Sequence, residues 1–342
     1  MFIDTTELRL RALGLCLLGL LVVMLFAIVF GSTHIGLADV ATALWHGLTN
    51  DVQGTTDVII VKIRLPRVIL AAVVGASLAV AGLSYQAIFQ NPLAEPYLLG
   101  VASGASLGAT LALIFASSSG LLALVGVPLS AFVFALLGVA LVIYLARQGR
   151  ELPLVPLILA GAVLGSSFSA ISSFVMMMNR EQAAGVLSWL MGSFAMASWP
   201  KIFSVLPFFL LCFAVVLACY RGLNMLLLGE EQAVQLGLSV NRFKILLIVL
   251  ATLATAAAVS VSGIIGFVGL LIPHAARMAF GPNHLNLIPL SAMLGASFLI
   301  LADLVARTLI APAEIPIGVV TSLVGGPFFL YLLKRFQRTS DA

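Results

Sequence analysis

Charge-free apolar runs of membrane-crossing length recur along this chain: Ala12 to Gly31, Val68 to Gln90, Gly120 to Ala146, Leu152 to Met178, Ile202 to Tyr220 and Leu287 to Ala302. A helix needs about 20 consecutive apolar residues to cross a hydrocarbon core of about 30 Å. Inside that core no water satisfies a peptide group, so runs of this kind are confined to structures that pair their own backbone. A soluble core cannot absorb them, because 62% of the 342 residues are hydrophobic and only 9% are charged, far from the balance of a soluble domain. The fold class expected is all-α, a polytopic membrane protein.

The charge-free stretch Ile245 to Ala276 is too long for one crossing. Its 32 residues would run roughly 48 Å as one helix at about 1.5 Å per residue. A break near Ser262-Gly263 divides it. A short span in the Gly-rich run around Gly100 and a last one from Val319 to Leu333 bring the expected total to ten transmembrane helices. A secretory signal has only a short apolar stretch, whereas the first run here is span-length and ends at Phe30-Gly31, so it reads as a retained span. The longest polar interruption, residues 221–244, divides the chain into two sets of five spans. Five is odd, so the second set enters the membrane inverted. A single transmembrane domain over residues 1–342 is expected, with halves at about 1–200 and 201–342.

Between Gln86 and Gly108 the sequence QAIFQNPLAEPYLLGVASGASLG places two prolines, an Asn and a Glu inside an otherwise membrane-length run. Irregular backbone at that depth survives only where protein or a water-filled cavity shields it, which points to a pathway. A similar aromatic and proline-bearing break follows a Gly-rich helix in the second half, at Gly263 to Pro273.

With the N-terminus inside, ten spans place Arg9, Arg11, Arg147, Arg150, Arg221, Arg242, Lys244, Arg277, Lys334, Arg335 and Arg338 in the cytoplasm. Lys62, Arg64, Arg67, Arg180, Lys201 and Arg307 fall outside. That bias obeys the positive-inside rule. The exception is Lys62-Ile63-Arg64-Leu65-Pro66-Arg67, a dense external cluster. Long basic side chains can snorkel to headgroups at a span start, with Pro66 suited to a first helical turn. Alternatively, Arg64 and Arg67 present guanidinium forks to carboxylates of an external partner. Asp303 and Arg307 sit four apart and can pair on one helix face, or Asp303 can orient Arg307 toward the same partner.

The segment Gly229-Glu230-Glu231-Gln232-Ala233-Val234-Gln235-Leu236-Gly237 reads as a short cytoplasmic helix. Glu230 and Glu231 suit the positive end of its dipole, and Gly237 suits a left-handed C-terminal cap. It is either a plain connector or a docking knob in which Val234 and Leu236 meet a soluble partner. His274 after Pro273 suits a bond to a freed carbonyl. Met176, Met177 and Met178 suit gap-filling at a span end. Gly100, Gly104 and Gly108, like Gly161 and Gly165, form small-residue faces for close helix packing. Cys16, Cys212 and Cys219 lie inside spans without metal-ligand spacing, so no metal site is expected. None of the four lysines completes a GxxxxGK[ST] loop, so this chain does not bind ATP in that way, and no cofactor is expected on it. The spans lack the Asp, Glu or His chain of a proton-coupled carrier, and His274 has no nucleophile partner at helical spacing, so no catalytic residue is assigned.

Six motifs together resemble the permease family of iron-siderophore, haem and cobalamin ABC importers. They are Arg64-Leu-Pro-Arg67; Asn91-Pro-Leu-Ala-Glu-Pro96 with Leu99-Gly100; Gly229-Glu230 through Gln235-Leu-Gly237; Gly266-Phe-Val-Gly-Leu-Leu-Ile-Pro-His274 with Arg277; Ala302-Asp303 with Ala306-Arg307; and Glu314-Ile-Pro-Ile-Gly-Val-Val-Thr321 with Gly325 and Pro327. The resemblance implies a ten-helix subunit in a two-fold homodimer around a central path, with two ATP-binding cassette subunits beneath and a substrate-binding protein above. ATP would be hydrolysed on those partner subunits, so the chain is not expected to be an enzyme. The resemblance maps binding-protein docking onto Arg64, Arg67 and Arg307, and the cytoplasmic gate onto Asn91 and Leu93. It maps ATPase coupling onto Gly229, Glu230, Glu231, Gln235, Leu236 and Gly237.

Where similar cobalamin permeases carry small hydroxyl residues at a second gate, this chain has Leu152-Pro-Leu-Val-Pro156. The expected cargo is therefore an iron chelate, siderophore or haem, with cobalamin as the alternative and a gradient-driven secondary transporter as the rival class. The expected location is a bacterial or archaeal cytoplasmic membrane, multi-pass in lipid, with both termini cytoplasmic and no nucleic-acid partner.

Overall fold

The computed structural model describes residues 6–31, 35–49, 51–52, 54–115, 121–149 and 151–340. Gly120 and Arg150 lie outside them, as do the side chains of Arg335 and Arg338. Among the described residues there are helices and no strand. The first half holds α1 (Thr6–Val29), α2 (Leu37–Leu48), α3 (Gly54–Val58), α4 (Leu65–Ile88), α5 (Val101–Phe115), α6 (Leu121–Ala146), α7 (Leu154–Met178) and α8 (Arg180–Leu190). The second holds α9 (Trp199–Ala218), α10 (Tyr220–Leu226), α11 (Glu230–Gln235), α12 (Val240–Ser262), α13 (Val268–Phe280), α14 (His284–Thr308) and α15 (Ile317–Ser340).

Seven helical stretches among the described residues are long and apolar enough to cross a membrane, and Val101–Phe115, Val268–Phe280 and Ile317–Leu330 are shorter apolar helices. The protein is a multi-pass membrane protein. The expected break near Ser262-Gly263 is present: α12 ends at Ser262 and Gly263 takes φ +72°, a conformation that suits a residue without a β-carbon.

The basic stretch Lys62 to Arg67 heads the apolar run, with Pro66 in the first turn of α4 as expected, but it is itself helical. A π-helical turn, Ile59–Arg64, runs without interruption into α4, so Arg64 and Arg67 belong to one helical stretch that begins at Gly54. Helical backbone here tolerates them because both side chains find acceptors, as described below.

α4 is the axis of the bundle. From Val73 to Ile88 every residue is buried, as expected of a helix that is apolar on all sides. It packs against α1, α9, α12, α13 and α14. Two crossings depend on glycine: a β-carbon at Gly75 would collide with the Gly295 carbonyl on α14, and one at Gly82 with the backbone of Gly269 on α13. Of the expected glycine face, Gly104 and Gly108 do pack against the backbone of α6 at Phe134 and Ser130. Gly100 does not share that face. It caps a 3-10 turn, Pro96–Leu99, at φ +80°, because the chain must still turn there before α5 begins. At the periphery, α1 and α7 expose Leu15, Leu18, Leu21, Val163, Ile171 and Phe174, surfaces suited to lipid.

Candidate functional site

Three regions gather the polar groups that this apolar chain keeps. The first lies where the start of α4 meets the end of α14. The Arg67 guanidinium donates from Nε to both oxygens of Asp303 at 3.0 Å and from Nη2 to Oδ1 at 2.9 Å. Its Nη1 and Nη2 also donate to the two oxygens of Glu314, at 2.8 and 2.9 Å. Bidentate arginine–carboxylate pairs are the strong, geometrically specific kind. Arg307 Nε lies 3.5 Å from Asp303 Oδ2, so the expected i,i+4 pair forms, and its Nη2 donates to the Ala27 carbonyl. Arg64 Nη1 donates to the carbonyls of Ile28 and Val29, both at 2.7 Å. These two cations therefore sit on the carbonyls at the end of α1, which have no intrahelical partner and carry the negative end of the helix dipole.

All three arginines are turned inward, with 4%, 7% and 8% of Arg64, Arg67 and Arg307 exposed. Three cations face two carboxylates, leaving one formal positive charge. The Arg67 fork, outweighing partial burial, holds the Glu314 carboxyl below the ordinary glutamate range, and the charges of Arg67 and Arg307 add to the effect. Local spacing offers Glu314 no partner and Asp303 only its neighbour Arg307. Nothing local signals that Arg67 is their shared partner.

The second region joins the two helix breaks. After α4, Gln90 takes φ +46°, and the Leu93 N–H donates to Asn91 Oδ1 at 2.9 Å, so Asn91 and Leu93 lie in one tight turn. From there the chain is stitched across to the break between α12 and α13. Glu95 accepts from the Phe267 N–H at 3.0 Å. The Tyr97 hydroxyl donates to the Ile265 carbonyl at 2.9 Å and accepts from its N–H at 3.3 Å. Gln86 donates to the Leu270 carbonyl and accepts from Arg277 Nη1, both at 3.0 Å. Backbone that leaves a helix in such apolar surroundings must find partners, and here Gln86, Glu95 and Tyr97 of the first break supply them to the backbone of the second.

A groove of about 610 Å³ opens beside this junction, lined by Tyr97, Ser103 and Ser106 on one side and Gly165, Ser166 and Ser169 of α7 on the other. It carries no charged residue, and its four serines and Tyr97 are set among Leu98, Ile158, Ile264 and small residues. A recess of about 350 Å³ brings Gln86, Asn91 and Arg277 against Leu226 and Leu227 of α10 and its exit.

The third region is α11. Gly229 precedes it at φ +105°, and Gly237 closes it at φ +88°. The Gly237 and Leu238 N–H groups donate to the carbonyls of Val234 and Ala233 at 2.9 and 3.0 Å, the paired bonds of a glycine-capped helix end. The two glutamates divide. Glu230 receives Lys244 Nζ at 2.6 Å on both oxygens, and Lys244 is 2% exposed, so this pair rivets α11 to α12. Glu231 and Gln235 stay exposed, beside Val234 at 58% and Leu236 at 55% exposure. The rivet was not foreseen, because the sequence marks Lys244 only as one more basic residue.

A model of the FecCD transport family matches residues 19–335. This chain belongs to the FecCD transport family. Within it, the chain is 40% identical over 324 residues to an uncharacterised ABC transporter permease of Bacillus subtilis, covering 93% of this chain and 92% of that one. It is also 40% identical to the hemin transport system permease protein of Yersinia pestis, covering 93% and 95% of the two chains. Among solved structures it resembles the inward-facing conformation of an ABC transporter assigned to the metal-chelate type, at TM-score 0.84 and 35% identity over 95% of this chain. The FecCD protein described here is thus a membrane permease of ABC-importer type. Its polar residues are concentrated at the two ends of the bundle and along one junction between them.

Proposed function

We propose that this chain is half of an ATP-driven conduit that passes an iron chelate inward across a cytoplasmic membrane. The observation that carries the reading is the serine-lined groove between α5 and α7. A row of hydroxyls on the flank of an apolar bundle gains nothing from lipid; a second copy facing the groove across a two-fold axis would enclose it as a path. The serines offer hydroxyls and no charge, so they suit a bulky chelate that must slip through rather than bind tightly. In this reading the seven long and three shorter apolar helices are ten spans in two inverted five-helix halves, with both termini cytoplasmic.

In this reading the turn at Asn91 and Leu93 closes the inner mouth, next to the recess against Leu226 and Leu227. α11 is the seat of the ATPase subunit: Gly229 and Gly237 set its ends, Glu230 braces it, and Glu231, Gln235 and Leu236 face outward with Val234. The excess positive charge of the Arg64, Arg67 and Arg307 cluster marks the outer face, to which an acidic patch of the substrate-binding protein is drawn. Haem or a siderophore is the cargo assigned. Leu152 to Pro156 departs from the cobalamin pattern and makes cobalamin the alternative.

The test is reconstitution with the ATPase and binding protein in liposomes. ATP-dependent uptake of ferric chelate or haem is expected, together with a disulfide between copies carrying Ser169→Cys. ATP-independent flux under an ion gradient would replace this reading with a secondary transporter. Absence of the inter-copy cross-link would remove the path from α7.

A further inference from the structure

We propose that Glu95 is a positioning residue that links the turn at Asn91 and Leu93 to α15 through the backbone of Phe267. Its use in transport rests on the reading of that turn as the inner gate.

Phe267 stands at φ +69° and ψ −23° at the start of α13, a left-handed conformation disfavoured for any residue with a β-carbon and rare for an aromatic one. Such strain persists only where the surroundings over-determine it. Two contacts do so here. The Phe267 N–H donates to Glu95 Oε1 at 3.0 Å. On its other side the Phe267 ring occupies the space over Gly325 on α15, where a β-carbon would overlap it.

Glu95 is itself held firmly. It precedes Pro96, whose ring abuts Gly269 of α13, 2.8 Å from where a β-carbon would stand, and it follows Leu93 by two residues. The two breaks are already fastened by Tyr97 and Ile265, so Glu95 is not needed merely to hold them together. What sets it apart is that its acceptor falls on the strained residue. If the turn shifts relative to α13, the Phe267 N–H loses its acceptor. Phe267 can then relax to an ordinary conformation, which swings its ring off Gly325 and frees α15 from the gate. The same chain runs in reverse from α15 to the turn.

The link predicts coupling between residues that do not touch. In purified permease, Glu95→Ala and Gly325→Ala should each lower the melting temperature, and the double variant should lose clearly less than the two shifts combined. Changes at separated, independent sites add. The non-additivity should vanish in a Phe267→Gly background, where neither strain nor ring remains, and Glu95→Gln, which keeps an oxygen acceptor, should behave as the parent does. Additive losses overturn the link whatever the protein transports. In liposomes, ATP-driven uptake by Glu95→Ala should fall about fivefold or more, the scale of one strained residue, with Gly325→Ala no further loss on top. Coupled stability with additive uptake defects would overturn the role at the gate while leaving the link intact.

Discussion

The two ends of this bundle use their residues in opposite ways. Where α4 begins and α14 ends, the charges are inside: Arg64, Arg67, Arg307 and Asp303 are buried and spend their hydrogen bonds on each other, on Glu314 and on the end of α1. Around α11 the apolar residues are outside, with Val234 and Leu236 more than half exposed above a buried Lys244 that pairs with Glu230. The difference shows that a charged motif in a membrane protein can be turned inward as a fastener while apolar side chains on a braced polar helix stay exposed. Exposure, rather than residue type, separates the two uses.

The sharpest way to break the comparison is Asp303→Ala. It leaves Arg67 and Arg307 buried with half their counter-charge, and removing one partner of a buried pair typically costs about 3–5 kcal/mol. Chemical denaturation of the purified permease should show a loss of that order. Replacing the pair together, Arg67→Met with Asp303→Leu, should recover much of it. Comparable losses in the single and double variants would mean that the cluster is not the fastener described.

Next in size is Lys244→Ala. It removes a charge-assisted bond worth about 1.5–3 kcal/mol and releases α11 from α12. Protease should then cut within residues 228–238 several times faster, with the spanning helices still protected. Equal cutting in both proteins would show that α11 is rigid without its rivet.

Smaller still in stability is Val234→Asp with Leu236→Asp. Exposed substitutions usually change stability by no more than about 0.5 kcal/mol, so the melting curve of the isolated permease should hardly move. Co-purification of the ATPase subunit should nevertheless be lost, and its retention would place the seat elsewhere.

The smallest effect belongs to Glu314. Its pKa is lower in the fold than in the unfolded chain, so its ionised form contributes stability that is whole above the ordinary glutamate value of about 4.3. That contribution drains away as pH falls through the lowered value. Glu314→Gln should flatten this acid limb in a titration of stability, with a loss at neutral pH below about 1 kcal/mol because the carboxylate is partly exposed. An unchanged acid limb would show that other carboxylates set it.

Much of the fold was legible because its signals are local. The apolar runs, the break at Gly263, the Asp303 to Arg307 spacing and the Gly237 cap each depend on residues within one or two helical turns. Local geometry at the candidate sites was legible in part: Asn91 and Leu93 share a turn, and Leu236 stands exposed at the end of α11. Reading the chain did not reveal that Lys62 to Arg67 continues one helix, or that Gly100 lies off the glycine face. Both depend on which neighbour each residue meets.

By itself the sequence determined that this chain must live in a bilayer as helices and where its long apolar runs break, because length, hydropathy and glycine or proline chemistry act within a few residues. Only the tertiary structure decided that Arg67 turns inward to Asp303 and Glu314, that Lys244 seats Glu230, and that Glu95 meets Phe267. Those pairings join residues up to 247 positions apart, and buried polar groups take whichever partner packing brings within reach.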